Sequence, residues 1–404
     1  MTRTVVIAGA GHAAGQVVAT LRQLSFPGRI VLVGEEPYLP YQRPPLSKKY
    51  LAGELPAERL YVKPASFYDL PQIERRLETR IERIDREAGC VVTDGGATIA
   101  YDRLVIATGS RVRRIAVPGS DLDGIHYLRS ISDVDGIRAA AVPGARIVIV
   151  GAGYIGLEVA AVCRQLGLDV TVLELAERVM SRVVSPPVSD FFAALHERRG
   201  VSLRLATGLA AFEGNGRVAA VVTAQGDSIP ADLVVVGIGI VPNSELAANA
   251  GLACDDGILV DEYCRTGDAD VYAVGDCTRH PSAIYDRPLR LESVHNALEQ
   301  ARTAASHICG NEVAYSQVPW FWSDQYDVKL QIAGISAGYD AVVLRGDPAG
   351  SRFACFYLSA GNLIAVDAVN SPREFVQSKP LIEQRAAIPP EQLADPDIAL
   401  RDLT

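Results

Sequence analysis

Apolar residues along this chain fall into two patterns, and each predicts a different element. Short unbroken runs, Val5–Ala8 and Ile147–Val150, read as strands buried on both faces. Each ends in a glycine turn, behind which apolar positions recur at helical spacing as far as Leu24 and Leu166. A second buried run follows each helix, Arg29–Val33 and Asp169–Leu173. Further buried strands are expected in Tyr101–Ser110, Val201–Ala206, Arg217–Ala224, Asp232–Ile240 and Ala269–Cys277. From about Trp320 the pattern becomes alternating, in VKLQIAG, AVVLRG, RFACFYLSAG and NLIAVDAVN, which predicts antiparallel strands. Ala360-Gly361-Asn362 is the expected hairpin turn, and the polar tail after Pro380 is expected to extend over the surface.

The glycines after the two leading runs carry the chemistry. The first segment is TVVIAGAGHAAG, with Gly9 and Gly11; the second is RIVIVGAGYIGLE, with Gly151, Gly153 and Gly156. The first glycine of such a segment allows the tight turn, and the second lets backbone approach a pyrophosphate. The third lets helix pack on strand, while the helix N-terminus offers free N–H groups to the anion. Ala14 stands at the third position of the first segment, a small residue followed by Gly15. Glu35 and Glu174, each just past the next strand, sit where a carboxylate binds a ribose hydroxyl. An acid at Glu174 would repel a 2′-phosphate, and Leu175 and Ala176 add no arginine beside it, so NADH is expected in preference to NADPH. Arg178 and Arg182 lie further on, as adenosine contacts or as ordinary surface charge. Two segments in one chain suggest one bound flavin nucleotide and one diffusible nicotinamide that reduces it.

These elements predict an α/β protein with two Rossmann-like dinucleotide-binding domains and a C-terminal α+β domain built on an antiparallel sheet. The flavin domain is expected to be discontinuous, 1–111 and 239–315, with the nicotinamide domain at 112–238 and the C-terminal domain at 316–404. Composition narrows the function classes. With 49% hydrophobic and 22% charged residues the chain can bury large cores. A net charge of −9 argues against nucleic acid and against a polybasic membrane anchor. No apolar run reaches the ~20 residues that span a bilayer, and no targeting segment precedes the first strand, so a soluble cytoplasmic protein, monomeric by default, is expected. The seven cysteines form no CxxC and no metal-ligand spacing, so reduced thiols and no metal site are expected.

Across essentially its whole length the chain resembles the oxygenase-coupled NADH–ferredoxin reductases. The resemblance rests on the first glycine segment, YQRPPLSKKYLAG at Tyr41 to Gly53, ATGS at Ala107 to Ser110 and GAGYIGLEVA at Gly151 to Ala160. It continues in GIGIVPNSELA at Gly237 to Ala247, AVGDC at Ala273 to Cys277, RLESVHNALEQAR at Arg290 to Arg302 and PWFWSDQYDVKLQIAG at Pro319 to Gly334. It implies a glutathione reductase-like arrangement of the two nucleotide domains. It also implies an FAD site formed by Gly9, Gly11, Ala13, Ala14, Glu35, Arg43, Ala107, Thr108, Gly109, Gly275 and Asp276. Ile81, in a loop before a strand, would face the adenine with its backbone, Arg129 would stand near the flavin, and Val294 would open a helix toward the flavin pyrimidine edge. The NAD site implied comprises Gly151, Gly153, Tyr154, Ile155, Gly156, Glu158, Glu174, Arg182 and Gly239.

Three residues would act at the reacting centre: Lys48 beside the flavin, Glu158 near the nicotinamide, and Trp322, packed near the flavin as part of the FAD site, at the surface where ferredoxin docks. Taken alone, Lys48 is equally a solvated lysine and Glu158 an exposed helix carboxylate. Disulfide reductases of this architecture carry a CxxxxC pair on the helix after the first nucleotide turn, whereas Tyr38 to Gly53 contains no cysteine here. Electrons are therefore expected to pass from NADH to FAD and then singly to a [2Fe–2S] ferredoxin that serves a cytochrome P450 or a Rieske oxygenase. Arg287, Arg290, Arg302 and Lys379 are the candidate docking cations. Two other readings stay open: an NADH oxidase using O₂, and an NADH-responsive redox protein of the apoptosis-inducing-factor type.

Overall fold

The unbroken run Thr4–Ala8 is the middle strand of a five-stranded parallel sheet, so both its faces are covered and Val5, Val6 and Ile7 are fully buried. The computed structural model describes residues 3–403. They form two units: the first takes the chain up to Gln42, Glu58–Arg111 and Val241–Pro319; the second takes Arg43–Ala57, Val112–Ile240 and Trp320 onward.

The sheet of the first unit runs Val271–Ala273, Arg103–Ile106, Thr4–Ala8, Arg29–Val33, Ile73–Arg76, every pair parallel. Helix His12–Gln23 packs against helix Val294–Ile308 in one apolar cluster, where Ala297, Ala301, Ala304 and Ala305 let the two helices approach closely beside Val17, Val18 and Leu21. The second unit repeats the plan: Ile125–Tyr127, Leu233–Val236, Arg146–Val150, Asp169–Leu173, Ser202–Arg204, again all parallel.

The repetition extends to a three-stranded antiparallel meander in each unit, Ile81–Asp85, Cys90–Thr93, Thr98–Ala100 in the first and Leu209–Asn215, Arg217–Thr223, Ser228–Pro230 in the second. Ile81 therefore opens a strand instead of lying in a loop. Its segment, IERID, is mostly charged, and a bulge between Ile81 and Arg83 interrupts the alternation that would have marked it. Several expected strands are shorter in the structure. Tyr101–Ser110, Asp232–Ile240 and Ala269–Cys277 join the parallel sheets only over Arg103–Ile106, Leu233–Val236 and Val271–Ala273, and Ser110 and Ile240 open separate short strands, Ser110–Val112 and Ile240–Pro242. Gly109, Gly239 and Gly275 follow with φ of 62°, 102° and 85°, backbone that cannot continue a strand.

The C-terminal sheet is antiparallel in the order Trp320–Gln325, Val328–Gly334, Asn362–Val369, Arg352–Ser359, Ala341–Asp347. The expected hairpin turn is present: Ser359 pairs with Asn362, and Ala360 and Gly361 both take left-handed φ, 49° and 79°. The tail differs from expectation. It forms helices Pro372–Glu383 and Pro390–Ala394 and buries Leu381, Ile382, Ile388, Leu393 and Leu400. Its last three apolar anchors are too widely spaced to form a periodic pattern. Arg345, on the sheet and 5% exposed, holds the tail by donating to the carbonyls of Leu393, Asp395, Pro396 and Ile398. Arg345→Lys keeps the charge but loses the planar fork, and is expected to cost about 1–3 kcal/mol in urea unfolding and to expose the tail to protease. An unchanged midpoint would mean that the apolar anchors hold the tail unaided.

Candidate nucleotide and redox sites

Two helix N-termini stand out because each starts from a glycine at the carboxyl end of the middle strand of a parallel sheet. Helices His12–Gln23 and Tyr154–Gln165 start from Gly11 and Gly153, with no side-chain cap and no acid in the first turn. A Cβ on either glycine would meet no atom within 4 Å. Helix Ile131–Ala140, by contrast, is closed by the reciprocal Ser130–Asp133 box, and Ser293 accepts the Asn296 N–H where Val294 opens its helix. Each glycine-led helix thus opens its first turn to space that a dinucleotide pyrophosphate would fit.

Close backbone approach explains the remaining glycines. Gly9 has φ of 120°, and a Cβ there would lie 2.3 Å from the Ala107 carbonyl oxygen; at Gly151 it would lie 2.4 Å from that of Gly237. A Cβ on Gly156 would lie 2.0 Å from the Gly151 carbonyl oxygen. The matching Ala14 is accommodated fully buried, and in the first segment it is Gly15 that meets a close neighbour, with Pro40 2.8 Å from its Cβ position.

In the first unit Gly9, Glu35, Ala107, Thr108, Gly109, Gly275 and Asp276 all follow the carboxyl ends of adjacent parallel strands, where ligands bind in open α/β sheets. Gly275 comes so near Ala13 that a Cβ would sit 3.3 Å from the alanine methyl. Its turn is held by buried Gln300, which accepts from the Gly275 N–H at 2.7 Å and the Thr278 hydroxyl at 2.9 Å. Thr108 exchanges hydrogen bonds with Asn243, and Ser110 donates to Asp276 at 2.8 Å. Neither Gln300 nor Asn243 was singled out from sequence; each acts on backbone, which a residue pattern does not display.

The second unit brings together Gly151, Gly153, Tyr154, Ile155, Gly156, Glu174 and Gly239 in the same way. Glu174 accepts the Ala152 N–H at 2.7 Å and the Ala176 N–H at 2.9 Å, which orients the carboxylate and leaves it lone pairs for a ribose hydroxyl. Exposed Arg182 reaches Gly239, with its guanidinium 3.9 Å from where a Cβ would be. Arg43 donates to the backbone carbonyl of Arg129.

Lys48 and Glu158 meet at 2.7 Å. Glu158 is not an exposed helix carboxylate but 2% exposed, and it is the hub of a polar cluster. Ser47 donates to its Oε2 at 2.5 Å and Ser323 to its Oε1 at 2.7 Å. Trp320–Gln325 lies along helix Tyr154–Gln165: Phe321 stacks on Tyr154 at 4.8 Å, and Ser323 meets Glu158 one helical turn on. Trp322 falls on the opposite face of that strand with Trp320, their rings 5.5 Å apart. Ser47, Ser323 and Gln325 escaped the sequence reading; polar residues alternating on an aromatic-rich strand were the available signal.

The four candidate docking cations differ among themselves. Arg287 is exposed, Arg290 pairs with Asp256 and Glu292, and Arg302 pairs with Glu299. Lys379 packs over the rings of Trp320 and Phe375 at 4.8 and 4.2 Å, and burial lowers its pKa. All seven cysteines are free thiols, and burial pushes Cys277 up to about 11 and Cys163 and Cys355 up to about 12, away from the reactive thiolate form.

Comparison with known proteins gives a consistent result. Residues 3–301 match the family described as pyridine nucleotide-disulphide oxidoreductase, and residues 320–404 match a reductase C-terminal domain. Rhodocoxin reductase of Rhodococcus erythropolis is 44% identical over 98% of this chain and 93% of its own. Putidaredoxin reductase of Pseudomonas putida is 43% identical over 99% of this chain and 96% of its own. The crystal structure of the covalent putidaredoxin reductase–putidaredoxin complex superimposes with a TM-score of 0.96 at 42% identity, covering 99% of this chain and 98% of that one.

Proposed function

This chain belongs to the pyridine nucleotide-disulphide oxidoreductase family, and we propose that it is an FAD-dependent NADH:ferredoxin oxidoreductase that supplies electrons to a cytochrome P450 or Rieske oxygenase. One observation carries the reading: each unit ends its parallel sheet in an uncapped glycine-led helix, giving one site for FAD and one for NADH. Bound FAD supplies the exchange between a two-electron donor and one-electron acceptors. The chain's own residues orient and polarise. Gly9, Gly11 and the first turn after Gly11 bind the FAD pyrophosphate, and Glu35 and Asp276 accept from hydroxyl groups. In the second unit Glu174 takes the NADH ribose and Tyr154 and Ile155 line the path to Glu158. Glu158 and Lys48 hold opposite charges against each other in a water-poor site, so their fields act on the nicotinamide undiluted.

The partner is a [2Fe–2S] ferredoxin docking beside Trp322, a reading supported by the relative crystallised with its redox partner. Arg287 fits a docking role best; Arg290 and Arg302 would have to exchange acidic partners, and Lys379 contributes by holding Trp320. No helix among the described residues is long and apolar enough to cross a membrane, in keeping with a cytoplasmic reductase. Stopped-flow NADH oxidation in air, with and without a [2Fe–2S] ferredoxin, tests the proposal. We expect reduced flavin to persist alone and to discharge rapidly to ferredoxin, with an on-rate that falls as salt rises. Equally fast turnover on oxygen alone would make the protein an oxidase.

A further inference from the structure

Beyond Glu158 the polar cluster continues inward for three more side chains. Gln325 Nε2 lies 3.2 Å from Ser323 Oγ, and His196 Nε2 lies 2.9 Å from Gln325 Oε1. The Tyr326 hydroxyl lies 3.4 Å from His196 Nδ1. Ser323, Gln325 and His196 are each 0% exposed, so the orientations within this chain are set by the protein and not by water.

The direction of every bond follows from chemistry. An ionised carboxylate only accepts, so the single hydroxyl hydrogen of Ser323 goes to Glu158. Ser323 Oγ must then accept from the Gln325 amide nitrogen, which turns Gln325 Oε1 toward His196. His196 must in turn carry its hydrogen on Nε2 and accept from Tyr326 at Nδ1. Burial lowers the His196 pKa to about 4, so the ring is neutral at working pH and this tautomer is available. The donors form a file, His196 to Gln325 to Ser323, ending on Glu158 Oε1. An amide in the middle cannot hand on a proton, so the file orients and does not conduct.

We propose that Ser323, Gln325 and His196 are positioning residues that lock the Glu158 carboxylate in the rotamer facing Lys48, and so control delivery of the nicotinamide hydride at a distance. Helix Pro186–Arg198 brings His196, strand Trp320–Gln325 brings Ser323 and Gln325, and helix Tyr154–Gln165 brings Glu158. Trp322 lies next to Ser323 on the opposite face of the same strand. The file thus fixes the strand that carries Trp322 as well as the carboxylate.

The inference rests on Glu158 acting at the nicotinamide, and the test separates the two. The FAD-loaded variants Ser323→Ala, His196→Leu, His196→Gln and Glu158→Gln are mixed with NADH under anaerobic stopped flow. Ser323→Ala and His196→Leu are expected to lower the limiting rate of flavin reduction by about 10-fold, with the Kd for NADH little changed. His196→Gln, which keeps a donor at the Nε2 position, is expected to recover most of the rate. Adding Ser323→Ala to Glu158→Gln should cause no further loss, because the file acts only through that carboxylate. A wild-type limiting rate in Ser323→Ala, beside a slowed Glu158→Gln, overturns this inference alone. An unimpaired Glu158→Gln removes the underlying reading of Glu158 itself. If His196→Leu fails to retain FAD, Ser323→Ala and the double variant decide.

Discussion

Gly156→Ala is expected to slow flavin reduction by NADH on the order of 10²-fold while the protein remains yellow. The added methyl would lie 2.0 Å from the Gly151 carbonyl oxygen, which is backbone and part of the turn proposed to face the NADH pyrophosphate. Helix Tyr154–Gln165 must then move off its strand, and Tyr154, Ile155 and Glu158 move with it. The proposed FAD site is at the first glycine segment, where alanine is already native at the equivalent Ala14. Flavin absorbance, and electron passage to ferredoxin after chemical reduction, should therefore match the parent. Normal NADH kinetics in Gly156→Ala would show that the helix has room to retreat and that close packing there is not required.

Asp367→Asn is expected to stabilise the protein at alkaline pH and much less in acid. Asp367 is 1% exposed in the C-terminal sheet, where the Tyr357 hydroxyl donates to it and itself accepts the Ser185 N–H at 2.8 Å. Burial pushes its pKa from 3.8 up to about 7, with the Tyr357 hydrogen bond pulling the other way. The folded state thus favours the neutral acid. Between pH ~4 and ~7 it keeps a proton that the unfolded chain has lost, so this residue's contribution to stability declines as pH rises and reaches its full cost above the folded pKa. A shift of about three units corresponds to roughly 4 kcal/mol at most. Asparagine can still accept from Tyr357 and does not titrate. Urea unfolding of parent and variant at pH 5 and pH 8 checks this: the difference between the two proteins should be larger at pH 8. An equal difference at both pH values would mean that Asp367 does not titrate in this range.

The apolar runs with terminal glycines were sufficient to locate both strand–turn–helix segments, because a doubly covered strand and a backbone turn each impose their residue types locally. The C-terminal hairpin was legible for the same reason: two largely apolar strands, buried along most of their length, flank a turn whose φ values suit Gly361. The strand at Ile81 is not legible because half of a two-faced strand is charged, and the packing of the tail is not because its last three buried residues stand alone in polar sequence.

For the site, sequence alone determined where the two glycine turns lie, since their backbone geometry is written in glycines. It could not say whether Glu158 was a surface carboxylate or a buried one. That was decided by tertiary structure, which lays strand Trp320–Gln325 along helix Tyr154–Gln165 and brings Ser47, Lys48 and Ser323 to one carboxylate. These partners are far apart along the chain. Burial and ion pairing depend on what a fold places opposite a residue, and no local pattern of polar and apolar positions records that.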